Sequence, residues 1–196
     1  MKMRIAFQVE DKSDFHPIST LTRRILAQEI EPQYLERETG GVDAVAQTLE
    51  AVAWAMYRTE VRGLVVVVDN DGHVPVHTCE HAGHFAEFAQ KRCRYCELLA
   101  LFPALPDRPE LGRLRFAVGV AVQELEAWLI CGAALAGRKP EREPEDLPPR
   151  TAKHRLYGSL HLPRAQRMAI TGPISEGMDL DALAAACHSF RFFRDS

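Results

Sequence analysis

No stretch of apolar residues in this sequence approaches the ~18 that a membrane-spanning helix needs. The start, MKMRIAFQVE, leads into a strand with acidic residues instead of the apolar core of a secretory signal. The expectation is a soluble, cytoplasmic chain with no membrane partner. Positive charge is also scarce, with 24 Lys and Arg against 27 Asp and Glu and a net charge of -3. That balance excludes a generic basic nucleic-acid binder, so any surface for a polyanion must be local. A Gly-rich phosphate loop, a serine nucleophile elbow and a dinucleotide fingerprint are all missing, which argues against ATP binding by the chain itself. The five cysteines, Cys79, Cys93, Cys96, Cys131 and Cys187, are odd in number and follow no disulfide framework, as expected of a reducing compartment.

What the sequence does have is apolar material for one core: 46% of its 196 residues are hydrophobic, enough for a single domain of ordinary size. Met3 to Val9 reads as a first strand, and Pro17 opens a helix over Ile18 to Ile30 that Pro32 stops. A weak strand is expected around Tyr34 to Arg37. Val45, Leu49, Val52 and Met56 recur at helical spacing within a helix over Val42 to Arg58. The run Gly63-Leu64-Val65-Val66-Val67-Val68 has the continuous β-branched character of a strand buried on both faces. A third helix is expected over Cys79 to Leu101, a second buried strand over Leu114 to Val122, and a helix directly after it. Gly137 to Pro149 is charged and proline-rich and reads as a surface excursion. Only short helices are expected beyond it, with Asp179 capping Leu180 to Cys187 and the aromatics of Phe190-Arg191-Phe192-Phe193 packing back on the body.

This alternation predicts an α/β fold: a mostly parallel central sheet with helices on both faces, plus a short helical C-terminal extension. The α/β core spans residues 1–136, and 137–196 form the charged loop and helical extension packed on it within one domain. Open sheets of this kind bind ligands beyond the carboxyl ends of their strands. Glu10 and the pair Asp69 and Asp71 fall there.

Two aspartates one residue apart after a buried strand can aim both carboxylates at one point, and Gly72 lets the backbone turn behind them. So close a pair of anions repels unless a cation lies between them. Mg²⁺ (or Mn²⁺) suits the arrangement, since it takes one or two carboxylates and keeps sites for substrate oxygens. Glu10, on another strand end, completes a metal set of Glu10, Asp69, Asp71 and Glu126. The plainer alternative is that Asp69-Asn70-Asp71-Gly72 is only a turn, since Asp, Asn and Gly dominate turns.

With Glu10 after the first strand and Asp69-x-Asp71 after a later one, the chain resembles the Toprim domain of topoisomerases, primases and the overcoming-lysogenization-defect (OLD) nucleases. More specifically it resembles an uncharacterised bacterial Toprim-like family, through Val120 to Ile130 (VAVQELEAWLI), Thr151 to Leu156 (TAKHRL), Gly172 to Glu176 (GPISE) and Cys187 to Phe190 (CHSF). Family members often carry Glu-Gly where this chain has Glu10-Asp11. The resemblance implies a Toprim-like fold, a nuclease-type site and, because such proteins often work beside an ATPase in phage defence, an ATPase partner.

Glu124 and Glu126 lie about 200° apart if both are helical, so one of the two is expected in the site. If the helix starts only after Val122, Glu124 falls in its first turn, where a carboxylate is favoured. Arg150, Lys153, Arg155, Arg164 and Arg167 occur between Pro148 and Ser175 with no acidic residue. Beside an acidic metal site they suit a phosphodiester, with Lys153 and Arg155 steadying phosphates, although a solvated basic face would have the same composition. His73, His77, Cys79, His81, His84, Cys93 and Cys96 offer zinc as a separate reading, against that of a half-buried cysteine pair and a polar loop.

The leading expectation is Mg²⁺-dependent phosphoryl transfer, most simply cleavage of nucleic-acid phosphodiesters, with Glu10, Asp69, Asp71, Glu124 and Glu126 as catalytic residues. The alternatives are a non-catalytic interaction subunit of an ATPase-containing complex and a zinc-stabilised binding module.

Overall fold

The computed structural model describes residues 2–36, 42–70, 94–102, 105–107, 113–122, 124–135, 145, 147–148 and 150–196. Asp71 and nearly all of the proposed zinc ligands, including the Cys96 side chain, lie outside the described residues, as does most of 137–149. The fold is α/β, with a parallel four-stranded sheet flanked by helices, consistent with a Toprim-like arrangement.

Strand β1 is Met3–Val9, followed by helix α1 at Phe15–Ile25, β2 at Ile30–Tyr34, α2 at Val42–Tyr57 and β3 at Gly63–Asp69. Helix α3 is Arg94–Ala100, β4 is Arg115–Ala121 and α4 is Leu125–Leu135. The C-terminal part carries α5 at Thr151–Tyr157, α6 at Arg164–Gly177, α7 at Leu180–Ala186 and α8 at His188–Asp195. Among the described residues no helix is long and apolar enough to cross a membrane.

The strands lie in the order β2-β1-β3-β4. From β1 the chain moves outward to β2 on one side, then returns to place β3 on the other, so the strand order reverses between β1 and β3. In open parallel sheets that reversal leaves a crevice at the carboxyl ends.

Both faces of the sheet are covered, as the β-branched run predicts. Val65 and Val67 of β3 join Ile5, Phe7 and Val9 under α1, α4, α7 and α8, with Trp128, Leu183, Phe190 and Phe193 in the same cluster. Leu64, Val66 and Val68 point the opposite way, onto Val45, Leu49 and Ala53 of α2 and Leu98 of α3. The period-two alternation therefore divides one apolar run between two cores. Gln8, buried among these groups, donates through Nε2 to Thr48 Oγ1 at 2.8 Å.

Several expected boundaries differ. Helix α1 starts at Phe15 and ends at Ile25, while Ile30 and Pro32 belong to β2 instead of ending a helix. Proline is tolerated there because β2 is an edge strand, where a missing N–H costs the ladder little. The segment after Gly137 contains Leu147, only 2% exposed and packed with Ala127 and Ala152, so it is anchored to the body at that point. Glu145 accepts from the backbone N–H groups of His188 and Ser189, both at 2.9 Å, and holds the start of α8. The aromatic tail is thus a helix, and α6 has 14 residues where only short helices were expected. Asp179 caps α7, accepting from the N–H groups of Asp181 and Ala182. Helix α8 lies so close to β4 that a Cβ on Gly119 would come within 2.9 Å of Phe193 Cδ2.

Candidate functional site

The crevice between β1 and β3 is lined by carboxylates because each strand ends on one. Pairing of Val9 with Val67 carries Glu10 just past the strand end, where its Oε1 accepts the N–H of Asp69 at 2.8 Å. Asp69 pairs in the ladder with Ala121 of β4, at the threshold of α4. Its Oδ1 accepts the N–H of Leu125 at 2.8 Å, which satisfies one of the orphan donors of α4 and sets a negative group at the positive end of that helix. Arg94 of α3 reaches the Asp69 carbonyl at 3.1 Å.

Glu124 and Glu126 are both brought in. Helix α4 begins at Leu125, so Glu124 sits before it and the opposition of two helical residues does not apply. Glu124 is 5% exposed and Glu126 2% exposed, and both face Lys153, whose Nζ lies 3.7 Å from Glu124 Oε1 and 3.8 Å from Glu126 Oε1. The Lys153 backbone N–H donates to Glu124 Oε2 at 3.2 Å, so Glu124 fixes the first turn of α5 as well as the side chain. Arg155 is not brought in. It lies two residues further along the same helix, about 200° around the axis from Lys153, and is exposed.

Three participants were not found from sequence. Asp14 follows the β1 loop and precedes α1, yet its side chain makes no cap hydrogen bond to that helix. Its Oδ2 accepts the Asp11 N–H at 3.2 Å, and its charge couples to Glu126, Asp11 and Asp69. Asp11 folds the loop on itself. Its Oδ1 accepts the Ser13 N–H and hydroxyl, both at 2.7 Å, and Arg167 holds its Oδ2 at 3.2 Å. Tyr157, in the last turn of α5, faces Glu126, whose charge acts on its hydroxyl. No local signal in the sequence marked Asp14; Tyr157 shared a helix with Lys153.

The electrostatics follow from this crowding. Burial, then the charges of Asp14, Glu126 and Glu10, push the Asp69 carboxyl well above the usual range, against the opposing pull of Lys153. Burial, followed by Glu126 and Asp11, raises Asp14 to about 8. Burial also raises Glu126, and burial together with Glu126 raises the Tyr157 hydroxyl. Lys153 is raised in spite of burial, because Glu126, Asp69, Glu124 and Asp14 surround it. Asp11 is lowered although burial opposes this, since Ser13 and Arg167 stabilise its charge.

The cluster is an all-oxygen donor set with more negative charge than Lys153, Arg94 and Arg167 neutralise, the electrostatic condition a hard divalent cation relieves. Among the described residues no group of three or more His, Cys, Asp or Glu side chains is set to close on one ion. Mg²⁺ does not require such a group, since it is commonly held through one or two carboxylates and completes its shell with water and phosphate oxygens. The donor chemistry therefore fits Mg²⁺ through Glu10 and Asp69. Comparison with protein-family models, with curated proteins and with solved structures found no match to this chain.

Proposed function

We propose that the chain is a Toprim-like, Mg²⁺-dependent phosphoryl-transfer protein, most simply a nuclease acting on nucleic-acid phosphodiesters. The observation that carries this reading is the convergence of Asp14, Asp69, Glu124 and Glu126 on Lys153, with Glu10 beside Asp69, at the strand-order reversal of a parallel sheet. Glu10 and Asp69 would hold the ion, with Asp71 following Asp69 in sequence and Glu126 beside Lys153. Bound there, the ion supplies positive charge against a phosphate oxygen. Lys153 offers an ammonium beside that position, 27% exposed at its side chain, and takes the phosphate-binding role without Arg155. Arg167 and Arg94 fix the backbone and loop that present the carboxylates. An ATPase partner belongs to this proposal through the family resemblance alone.

The test is cleavage of plasmid DNA and of single-stranded RNA with Mg²⁺ or Mn²⁺, comparing the native protein with Asp69→Ala and Glu126→Gln. The expected result is metal-dependent cleavage that EDTA abolishes and both substitutions reduce by at least about 100-fold, of the order lost with a charge-stabilising group. Asp69 also caps α4, so circular dichroism must show that each variant is folded. Cleavage unchanged by either substitution would exclude this site, and no cleavage of either polymer would favour a non-catalytic interaction subunit.

A further inference from the structure

At the opposite end of the sheet from the acidic crevice, the amino ends of β1, β3 and β4 open onto a cavity of about 590 Å³, within the range of about 300–1,000 Å³ typical of small-molecule sites. Its walls are hydrocarbon: Ile5 of β1, Val65 of β3, Ala117 of β4, Ile25 of α1 and Phe193 of α8. Leu26 lies on the same wall and is 42% exposed, which extends the hydrocarbon surface to the outside of the cavity. The described lining contains four arginines, Arg62, Arg113, Arg115 and Arg194, and no aspartate or glutamate. In a chain with 27 acidic and 24 basic residues, that is a local reversal of sign.

The arginines are not equivalent. Arg113 is held by Asp107 at 2.7 Å, and Arg194 by Asp181 at 2.9 Å. Arg115 has no hydrogen-bond or ion-pair partner for its guanidinium among the described residues, and it stands at the mouth of the cavity at the start of β4. A guanidinium over an apolar hollow matches a molecule with a hydrocarbon body and an anionic head, because its planar fork can take a carboxylate or phosphate in a bidentate grip. The hydroxyls on the walls are already engaged, that of Thr22 donating to the Ile18 carbonyl at 2.9 Å and that of Ser196 to the Phe193 carbonyl at 2.8 Å, which leaves the guanidinium as the group that meets a ligand's polar end.

We infer that this cavity is a binding site for an aliphatic anion, an acyl-chain-sized hydrocarbon carrying a carboxylate or phosphate that Arg115 holds. The site is separate from the acidic crevice and does not depend on the nuclease reading.

The experiment is isothermal titration of the full chain with sodium dodecanoate and with dodecyl phosphate, below their aggregation concentrations. Dodecanol and dodecyltrimethylammonium serve as neutral and cationic controls of the same length. One saturable site is expected for the anions, at least tenfold tighter than for either control, consistent with a charge-assisted hydrogen bond. The tighter of the two anions identifies the head group. Arg115→Glu should weaken anion binding by about tenfold or more while leaving the melting temperature of the free protein within about 2 °C, since the side chain is exposed. Ala117→Met, which fills the hollow with a flexible side chain, should weaken all four ligands. Equal binding of anion and cation, no saturable binding, or anion affinity indifferent to both substitutions would overturn the inference. So would a concentration-dependent dimer, seen by analytical ultracentrifugation and abolished by Arg115→Glu, because a second copy would then be the occupant.

Discussion

Replacing Lys153 by methionine would remove the ammonium between Glu124 and Glu126 and keep most of the aliphatic stem. Those carboxylates are 5% and 2% exposed, so they would lose their cation without gaining much water. Removing one partner of a buried ion pair costs about 3–5 kcal/mol, because the remaining charge is left uncompensated. Here the lower end applies: both contacts are long, at 3.7 and 3.8 Å, and the lysine side chain keeps 27% of its surface exposed. A loss of about 3 kcal/mol corresponds to a fall in Tm of roughly 6–12 °C for a chain of this size.

The assay is urea unfolding at pH 8 and at pH 5, each with and without 10-fold molar excess to saturating Mg²⁺. Lys153 has a raised pKa, so its own charge is fully present across this window and would be lost only in strong alkali. The pH dependence of the variant therefore comes from the carboxyls. With Asp69, Asp14 and Glu126 all raised, the folded protein holds protons that the unfolded chain has released, and stability falls as pH rises. The defect should accordingly be larger at pH 8 than at pH 5. Mg²⁺ should restore part of it, and adding Glu126→Gln to Lys153→Met should restore a further part, because Glu124 is then the only one of the two carboxylates left without its cation. A Lys153→Met protein as stable as the native one at pH 8 would refute the reasoning that the lysine balances this cluster.

Asp14→Asn should stabilise the metal-free protein by about 2 kcal/mol at pH 8, because it removes a charge the fold resists. The gain should shrink through the interval from about 8 down toward the ordinary carboxylate range and vanish near pH 3, as thermal unfolding across pH would show. Gly119→Ala should cost about 1–3 kcal/mol in chemical denaturation, since the added Cβ meets the Phe193 ring at 2.9 Å and Trp128 Cη2 at 3.2 Å.

The central strands were legible because burial on both faces leaves a composition that local sequence displays, and Gly63–Asp69 could hardly be read otherwise. Strand β2 was displaced because Pro32 argues against a strand until its place at the sheet edge is known. The same distinction governs the site. That Glu10 and Asp69 end strands follows from the apolar runs before them. Asp14 and Tyr157 are ordinary loop and helix residues until α1, α4 and α5 bring them to one crevice. Helical period alone separates Lys153 from Arg155, but which of the two faces the carboxylates depends on how α5 docks against α4.

Sequence order therefore determines which strands end in acid, because hydrophobic patterning is local and repeats every two residues. Which charges meet, and how far burial moves their proton affinities, depends on the packing of segments more than 100 residues apart. Electrostatic coupling acts through space, and the strand order and helix docking that set those distances exist only in the folded chain.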